Sequence, residues 1–166
     1  MRPAATLREG AAPRHFLHPG AARFANAPER IETILGSCVS VSLRDPRTAL
    51  AAICHCVLPA APPTTPPAER FRFCDTAVEG MLEWFARRRV PVSRLEVKLF
   101  GGAEVLFGAT GSSVGQLNAQ QALAALARHG LTPQAQATGG PAGRYLVFDT
   151  ATGAVWVRPL TQEYPL

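Results

Sequence analysis

Only two stretches of this 166-residue chain carry helical periodicity, whereas six read as strand. That imbalance constrains the fold more than any other feature. The strand-like segments are 31–35, 39–43, 50–58, 95–100, 145–148 and 155–157. The helical ones run from Asp75 to about Arg89, and from Asn118 to a stop at Gly130. A sheet of parallel strands needs a long crossover, usually a helix, between successive strands. Two helices are too few for that. The expectation is an α+β fold with mixed sheets and helices packed outside them.

Local signals refine this expectation. Val39, Val41 and Leu43 alternate with Ser40 and Ser42, the pattern of a strand, and Asp45-Pro46 ends it. A turn of six residues, Arg44 to Ala49, leads into the apolar run Leu50–Leu58, so the two runs are expected to pair antiparallel. Five prolines between Pro59 and Pro67 exclude helix and inner strand, leaving a stiff extended loop beside the end of the second run. Asp75 reads as a helix N-cap, with Val78, Met81, Leu82 and Phe85 as the buried stripe and Glu83–Arg87 as an i,i+4 pair. Asn118 with Gln121 reads as a capping box for a helix burying Leu123, Leu126 and Ala127. Asp149–Gly153 reads as a hairpin connection. Residues 1–14, rich in Ala, Pro and Arg, read as a loose tail before one domain over 15–166.

Composition removes several function classes. At 47% apolar and 17% charged residues the chain is globular, and no apolar run approaches the ~20 residues of a membrane span. With no compact signal-peptide core, a cytoplasmic protein without membrane insertion is expected. The net charge of +5 rests on arginines, with Lys98 the single lysine. The cluster Arg87-Arg88-Arg89 is either a solvated helix end that complements the dipole or a docking patch for an acidic protein surface. No basic stripe interleaved with aromatics points to nucleic acid. In a reducing compartment the four cysteines, Cys38, Cys54, Cys56 and Cys74, are expected as free thiols.

Cys54-His55-Cys56 resembles a metal-ligand cluster, but a strand sends successive side chains to opposite faces. His55 then points away from both cysteines, and neither a metal nor another cofactor is expected. Cys54 and Cys56 read as small core residues. Cys38 follows the Gly36-Ser37 turn, and pairing about the Arg44–Ala49 turn brings it to His55 at the far ends of the two strands. A thiol of ordinary pKa ~8.5 is mostly protonated at neutral pH, and a neighbouring imidazole can take its proton. Gly36 permits a tight turn, and amides around Ser37 and Cys38 are suited to face a developing oxyanion. On the residues alone, two readings stand: a nucleophile–base pair, or two structural side chains.

A set of spaced motifs then resembles one family. Leu35-Gly36-Ser37-Cys38-Val39-Ser40-Val41, Asp45-Pro46 and His55-x-x-Leu58-Pro59 resemble the chemoreceptor glutamine deamidase CheD family. So do Phe16–Gly20, Phe73-Cys74-Asp75-Thr76-Ala77, Lys98–Ala103 and Gly139-Gly140 followed by Arg144. The resemblance implies a layered α/β/β/α sandwich with largely antiparallel sheets. It implies cysteine-dependent conversion of receptor glutamines to glutamates, with Cys38 as nucleophile and His55 as base. The partners it implies are methyl-accepting chemotaxis receptors and a CheC-type phosphatase. The family's third site residue is a threonine before the cysteine, read six positions ahead; here Glu32 is six ahead and Thr33 five. A one-residue slip on a strand reverses the face, so Thr33 is expected to orient His55 only if a bulge intervenes. A second departure is Leu117, where the family motif Ile-Gly-x-Arg-Asn has arginine. These departures motivate the alternative of a CheD-like binding module that regulates receptors or the phosphatase without turnover.

Overall fold

The computed structural model describes residues 12–105 and 111–160. Most of the expected N-terminal tail lies outside the described residues, and Arg14 already opens a strand. In chain order the elements are β1 (Arg14–Phe16), β2 (Ala22–Ala25), β3 (Arg30–Leu35), β4 (Val39–Arg44), β5 (Ala51–Cys54), α1 (Cys74–Arg87), β6 (Glu96–Gly101), α2 (Val114–Ala127), β7 (Ala135–Thr138), β8 (Arg144–Asp149) and β9 (Val155–Pro159). One sheet has the order β1-β3-β8-β9 and the other β2-β5-β4-β6-β7. Among the described strands only β1–β3 and β6–β7 pair parallel. The chain thus forms a layered α+β sandwich of two mixed, mainly antiparallel sheets. Among the described residues, no helix is long and apolar enough to cross a membrane.

Strand alternation builds two separate cores. Val39, Val41 and Leu43 of β4 face α1 and α2, together with Ala52, Cys54 and Cys56. The opposite faces contribute Ala51, Ile53 and Phe100 to a core closed by Ile31, Leu35, Leu146 and Phe148 of the other sheet. Fully burying a side chain such as Ile31 or Phe148 contributes roughly 1.5–3 kcal/mol, so this inter-sheet layer holds the sandwich closed. Arg44 crosses the layer too, donating from Nε to the Thr150 carbonyl at 2.8 Å.

Several local expectations need correction. Asp75 is not the N-cap of α1; Phe73 is, and it makes no side-chain cap bond. The Asp75 carboxylate instead accepts from the Ala61 amide at 3.0 Å, tying the proline loop to the helix. The stripe Val78, Met81, Leu82 and Phe85 is buried as expected, but the helix stops at Arg87 and Arg89 takes φ 58°. Asn118 does not start α2. Ser113 caps it by accepting from the Gln116 amide at 2.9 Å, so the helix begins a turn earlier. Its buried face is Gly115, Asn118, Ala122, Ala125 and Leu126, while Leu123 and Ala127 face outward. The run expected as one strand to Leu58 ends as β5 at Cys54. The Val57 and Leu58 amides turn to the Arg72 carbonyl, at 2.8 and 3.0 Å. The proline-rich loop carries no strand and passes into a 3-10 turn, Pro67–Arg72.

Candidate active site

The relation between Cys38 and His55 follows from register. β4 and β5 pair Ser42 with Ile53 and Leu43 with Ala52, and the Val39–Cys56 bridge keeps the same register beyond the end of β5. Val39 and Cys56 exchange both backbone hydrogen bonds, at 3.0 and 2.8 Å. Ser40 therefore stands opposite His55 as the close, non-hydrogen-bonded pair. Cys38 is the diagonal neighbour of His55 on the same face, a relation that places α-carbons ~7–8 Å apart. That face is the inter-sheet layer, against which Cys38 packs partly buried. Cys54 and Cys56 lie on the other face, as strand alternation requires. Among the described residues, no group of three or more His, Cys, Asp or Glu side chains is arranged to hold a metal.

Thr33 settles the state of the His55 ring. It lies on β3, where Ile31, Thr33 and Leu35 are buried while Glu32 and Ile34 point outward. The β3–β8 register runs unbroken from Arg30 to Leu35, so no bulge is needed to turn Thr33 inward. Its hydroxyl donates its single hydrogen to the Leu17 carbonyl at 2.8 Å. The same oxygen lies 2.8 Å from His55 Nδ1. With the Thr33 hydrogen committed, Nδ1–H must be the donor in that contact, which leaves Nε2 as the bare lone pair. Nε2 is buried without a partner among the described residues, and so is Ser40 Oγ beside it.

Burial sets the protonation states. It lowers the His55 pKa to about 4; His18 adds to this and the Leu17 carbonyl opposes it. Burial also raises the Cys38 pKa, as does the nearby Cys74 thiol, while Cys38's own amide opposes the rise. The resting pair is therefore a neutral thiol and a neutral imidazole, not a preformed thiolate–imidazolium.

The turn before Cys38 is held by its carbonyls. Gly36 O accepts from the Ala103 amide at 2.9 Å and Cys38 O from the Gly102 amide at 2.8 Å. Ser37 O accepts from Asn118 Nδ2 at 3.0 Å. Carbonyl and N–H point in opposite directions across a trans peptide. The Ser37 and Cys38 amides are thus turned away from these anchors, and among the described residues neither hydrogen-bonds to another residue's acceptor. The motif Lys98–Ala103, a strand running into glycines and one of the segments that resemble the family, supplies two of the three anchors. Gly101 is required there: at φ 107°, a Cβ would lie 2.2 Å from Cys38 O.

Asn118 was missed as a site residue, because an asparagine near a helix start is a routine cap. The motif Val114–Asn118 was the available signal. The other departures lie away from the site. Leu117 is exposed on α2, and Glu32 accepts from Arg14 Nε at 2.6 Å on the outer face of β3. Arg144 of the Gly-Gly…Arg motif donates to the Ala137 and Gly139 carbonyls, binding the end of β7 to β8.

A family model described as CheD chemotactic sensory transduction matches residues 57–159. The chain is 42% identical over 159 residues to "Probable chemoreceptor glutamine deamidase CheD 2" of Geobacter sulfurreducens, covering 95% of this chain and 96% of that protein. It is 38% identical to "Probable chemoreceptor glutamine deamidase CheD" of Maridesulfovibrio salexigens, covering 90% and 94%. A protein of the same printed name from Rhodospirillum rubrum is 40% identical, covering 89% of this chain and 83% of its own.

Proposed function

This chain belongs to the CheD family, and from that premise we propose that it deamidates glutamine side chains of methyl-accepting chemoreceptors in the cytoplasm, with Cys38 as nucleophile. The observation that carries the reading is the Thr33 hydroxyl placed between the Leu17 carbonyl and His55 Nδ1, from which the ring's tautomer is inferred. Thr33 takes Nδ1–H, and the bare Nε2 lies on the face it shares with Cys38.

Cys38 Sγ attacks the glutamine carboxamide carbon while its proton passes to His55 Nε2. Both groups start neutral, so transfer accompanies attack. The carbonyl oxygen becomes an oxyanion facing the Ser37 and Cys38 amides. Collapse breaks the C–N bond, and Nε2–H protonates the departing ammonia. Water then adds to the thioester, giving a proton to Nε2. Expulsion of the thiolate, reprotonated by the imidazolium, leaves glutamate and the starting thiol.

Purified protein incubated with a receptor cytoplasmic fragment is expected to add about 1 Da per converted glutamine, an acyl exchange that needs the thiol. Mass spectrometry reads it directly. Unchanged receptor across several native pairings, or full conversion by Cys38→Ala, would sink the proposal. Glu32 and Leu117 lie outside the site and Thr33 bonds His55, which supports turnover over the binding-only alternative. A CheC-type phosphatase is the second partner the family implies, and co-elution of the two purified proteins checks it.

A further inference from the structure

Asn118 sits in the interior of α2, a helix otherwise packed on the far side of the five-stranded sheet from the nucleophile. It is fully buried, and its carboxamide donates twice from Nδ2: to the Ser37 carbonyl and to the Val57 carbonyl, both at 3.0 Å. The first acceptor belongs to the peptide whose N–H is that of Cys38. The second lies two residues past His55. One side chain therefore bonds both segments that carry the chemistry, at the point where β5 has ended and few ladder bonds hold them together.

The surrounding sequence is shaped to let α2 come this close. A Cβ on Gly115 would lie 2.3 Å from the Ala103 carbonyl and 2.5 Å from Gly102. Only glycine allows the first turn of α2 to rest on the Gly102–Ala103 segment, which itself anchors the Gly36 and Cys38 carbonyls. Asn118 is the residue that this approach delivers to the turn.

We propose that Asn118 is a positioning residue for the reaction, a clamp that holds the Cys38 turn against the His55 segment and aims the Cys38 amide at the oxyanion. The inference rests on the deamidase reading. By pulling the Ser37 carbonyl toward α2, the carboxamide turns the Cys38 N–H to the opposite side, where it lies beside the cysteine's own sulfur. An oxygen on a carbon bonded to that sulfur falls within its reach. This contact strengthens as charge develops, so its loss lowers kcat and not substrate binding.

The test compares wild type with Asn118→Ala and Asn118→Asp, each assayed well below its own melting temperature. Asn118→Ala is expected to lose about 10- to 100-fold in kcat, the scale of a hydrogen bond to a charged group, with KM within about twofold. Iodoacetamide alkylation of Cys38, which needs the thiol but no oxyanion donor, is expected to change far less than turnover. Asn118→Asp keeps the shape but sets a carboxylate against two carbonyls, and its protonated form regains one donor. Its kcat is expected to rise on acidification through a range where wild type is flat. A loss confined to KM, equal losses in alkylation and turnover, or no acid recovery would overturn the clamp.

Amide hydrogen exchange gives a readout independent of activity. In either variant, the amides bonded around the turn (Val39, Gly102 and Ala103) and those of His55–Val57 are expected to exchange about tenfold faster together, as loss of both hydrogen bonds implies, while β8 is unchanged. Uniform acceleration, or acceleration in α2 alone, would overturn the clamp even if receptor conversion fails in wild type. That last failure alone would instead remove the deamidase reading.

Discussion

The β4–β5 pair carries thiols on both of its faces, and the two faces have opposite chemistry. Toward the helices, Cys54, Cys56 and Cys74 are fully buried among Val, Leu and Ala side chains. Cys56 Sγ lies 3.4 Å from Cys54 Sγ, and that contact, with Cys74 and burial, pushes the Cys56 pKa well up. Toward the other sheet, Cys38 is partly exposed and shares its face with an imidazole whose Nε2 is bare. Free cysteine is by default a small core residue. What separates Cys38 from the other three is not an activated resting thiol, since burial raises its pKa as well. It is access, together with a lone pair on the same face, which the proposed mechanism uses to take the proton during attack.

The largest expected effect is on the exposed side. Cys38→Ala removes the proposed nucleophile, and receptor conversion is expected to fall at least ~10³-fold, as when a nucleophile is deleted from a coupled catalytic group. Mass spectrometry of the receptor fragment measures it. Faster alkylation of Cys38 than of the three buried thiols would not by itself prove activation, because exposure alone produces it. The sharper comparison is wild type against His55→Gln, in which Cys38 alkylation near neutral pH is expected to slow. Unchanged alkylation would break the link between the two residues.

His55→Gln is expected to cost ~10²–10⁴ in kcat, the range for removal of a general base. It also carries a signature in stability. Burial lowers the folded pKa to about 4 from the ordinary imidazole value of about 6.5. Between these values the unfolded state binds the proton and the folded state does not, so stability is lost as pH falls from about 6.5 through about 4. At about 1.4 kcal/mol per pH unit, this window costs roughly 3 kcal/mol. Urea unfolding across the window is expected to show that slope in wild type and a flatter one in the variant. Parallel slopes would mean that His55 is not held neutral.

Thr33→Val keeps the shape of the side chain and removes the acceptor for Nδ1–H. It is expected to lower kcat about 10- to 100-fold, corresponding to ~1.5–3 kcal/mol for a hydrogen bond to a group that becomes charged. A wild-type rate would show that packing alone orients the ring.

The faces of β4 and β5 were legible because alternation is a local rule, and it separated His55 from Cys54 and Cys56 without reference to the rest of the chain. The same rule misjudged Thr33. Counting back from Cys38 passes through Gly36 and Ser37, which form a turn, and parity does not survive a turn. Within β3, the buried Ile31, Thr33 and Leu35 show the correct phase. β7 was missed because Ala135–Thr138 is exposed throughout and carries no apolar alternation. The buried stripe of α2 was misplaced because it is built from Gly115, Asn118, Ala122 and Ala125, small or polar residues chosen for close approach. A search for large apolar side chains picks Leu123, which faces outward. Asn118 is the clearest case, since its partners at Ser37 and Val57 are 81 and 61 residues away in sequence.

The smallest expected effect tests the comparison from its buried side. Cys54→Ala and Cys56→Ala each remove one sulfur from a fully buried site, leaving a methyl-sized void worth about 1 kcal/mol of stability. Neither sulfur shares a face with His55, so kcat on the receptor is expected to match wild type once each variant is assayed below its own melting temperature. Cys56 is the more exacting of the two, because its backbone exchanges both bonds with Val39, next to Cys38. The substitution leaves those bonds in place and changes only what faces the helices. A fall in kcat without a matching change in melting temperature would mean that packing on the helix side tunes the Cys38 turn. The two faces of the strand pair would then not be chemically separate.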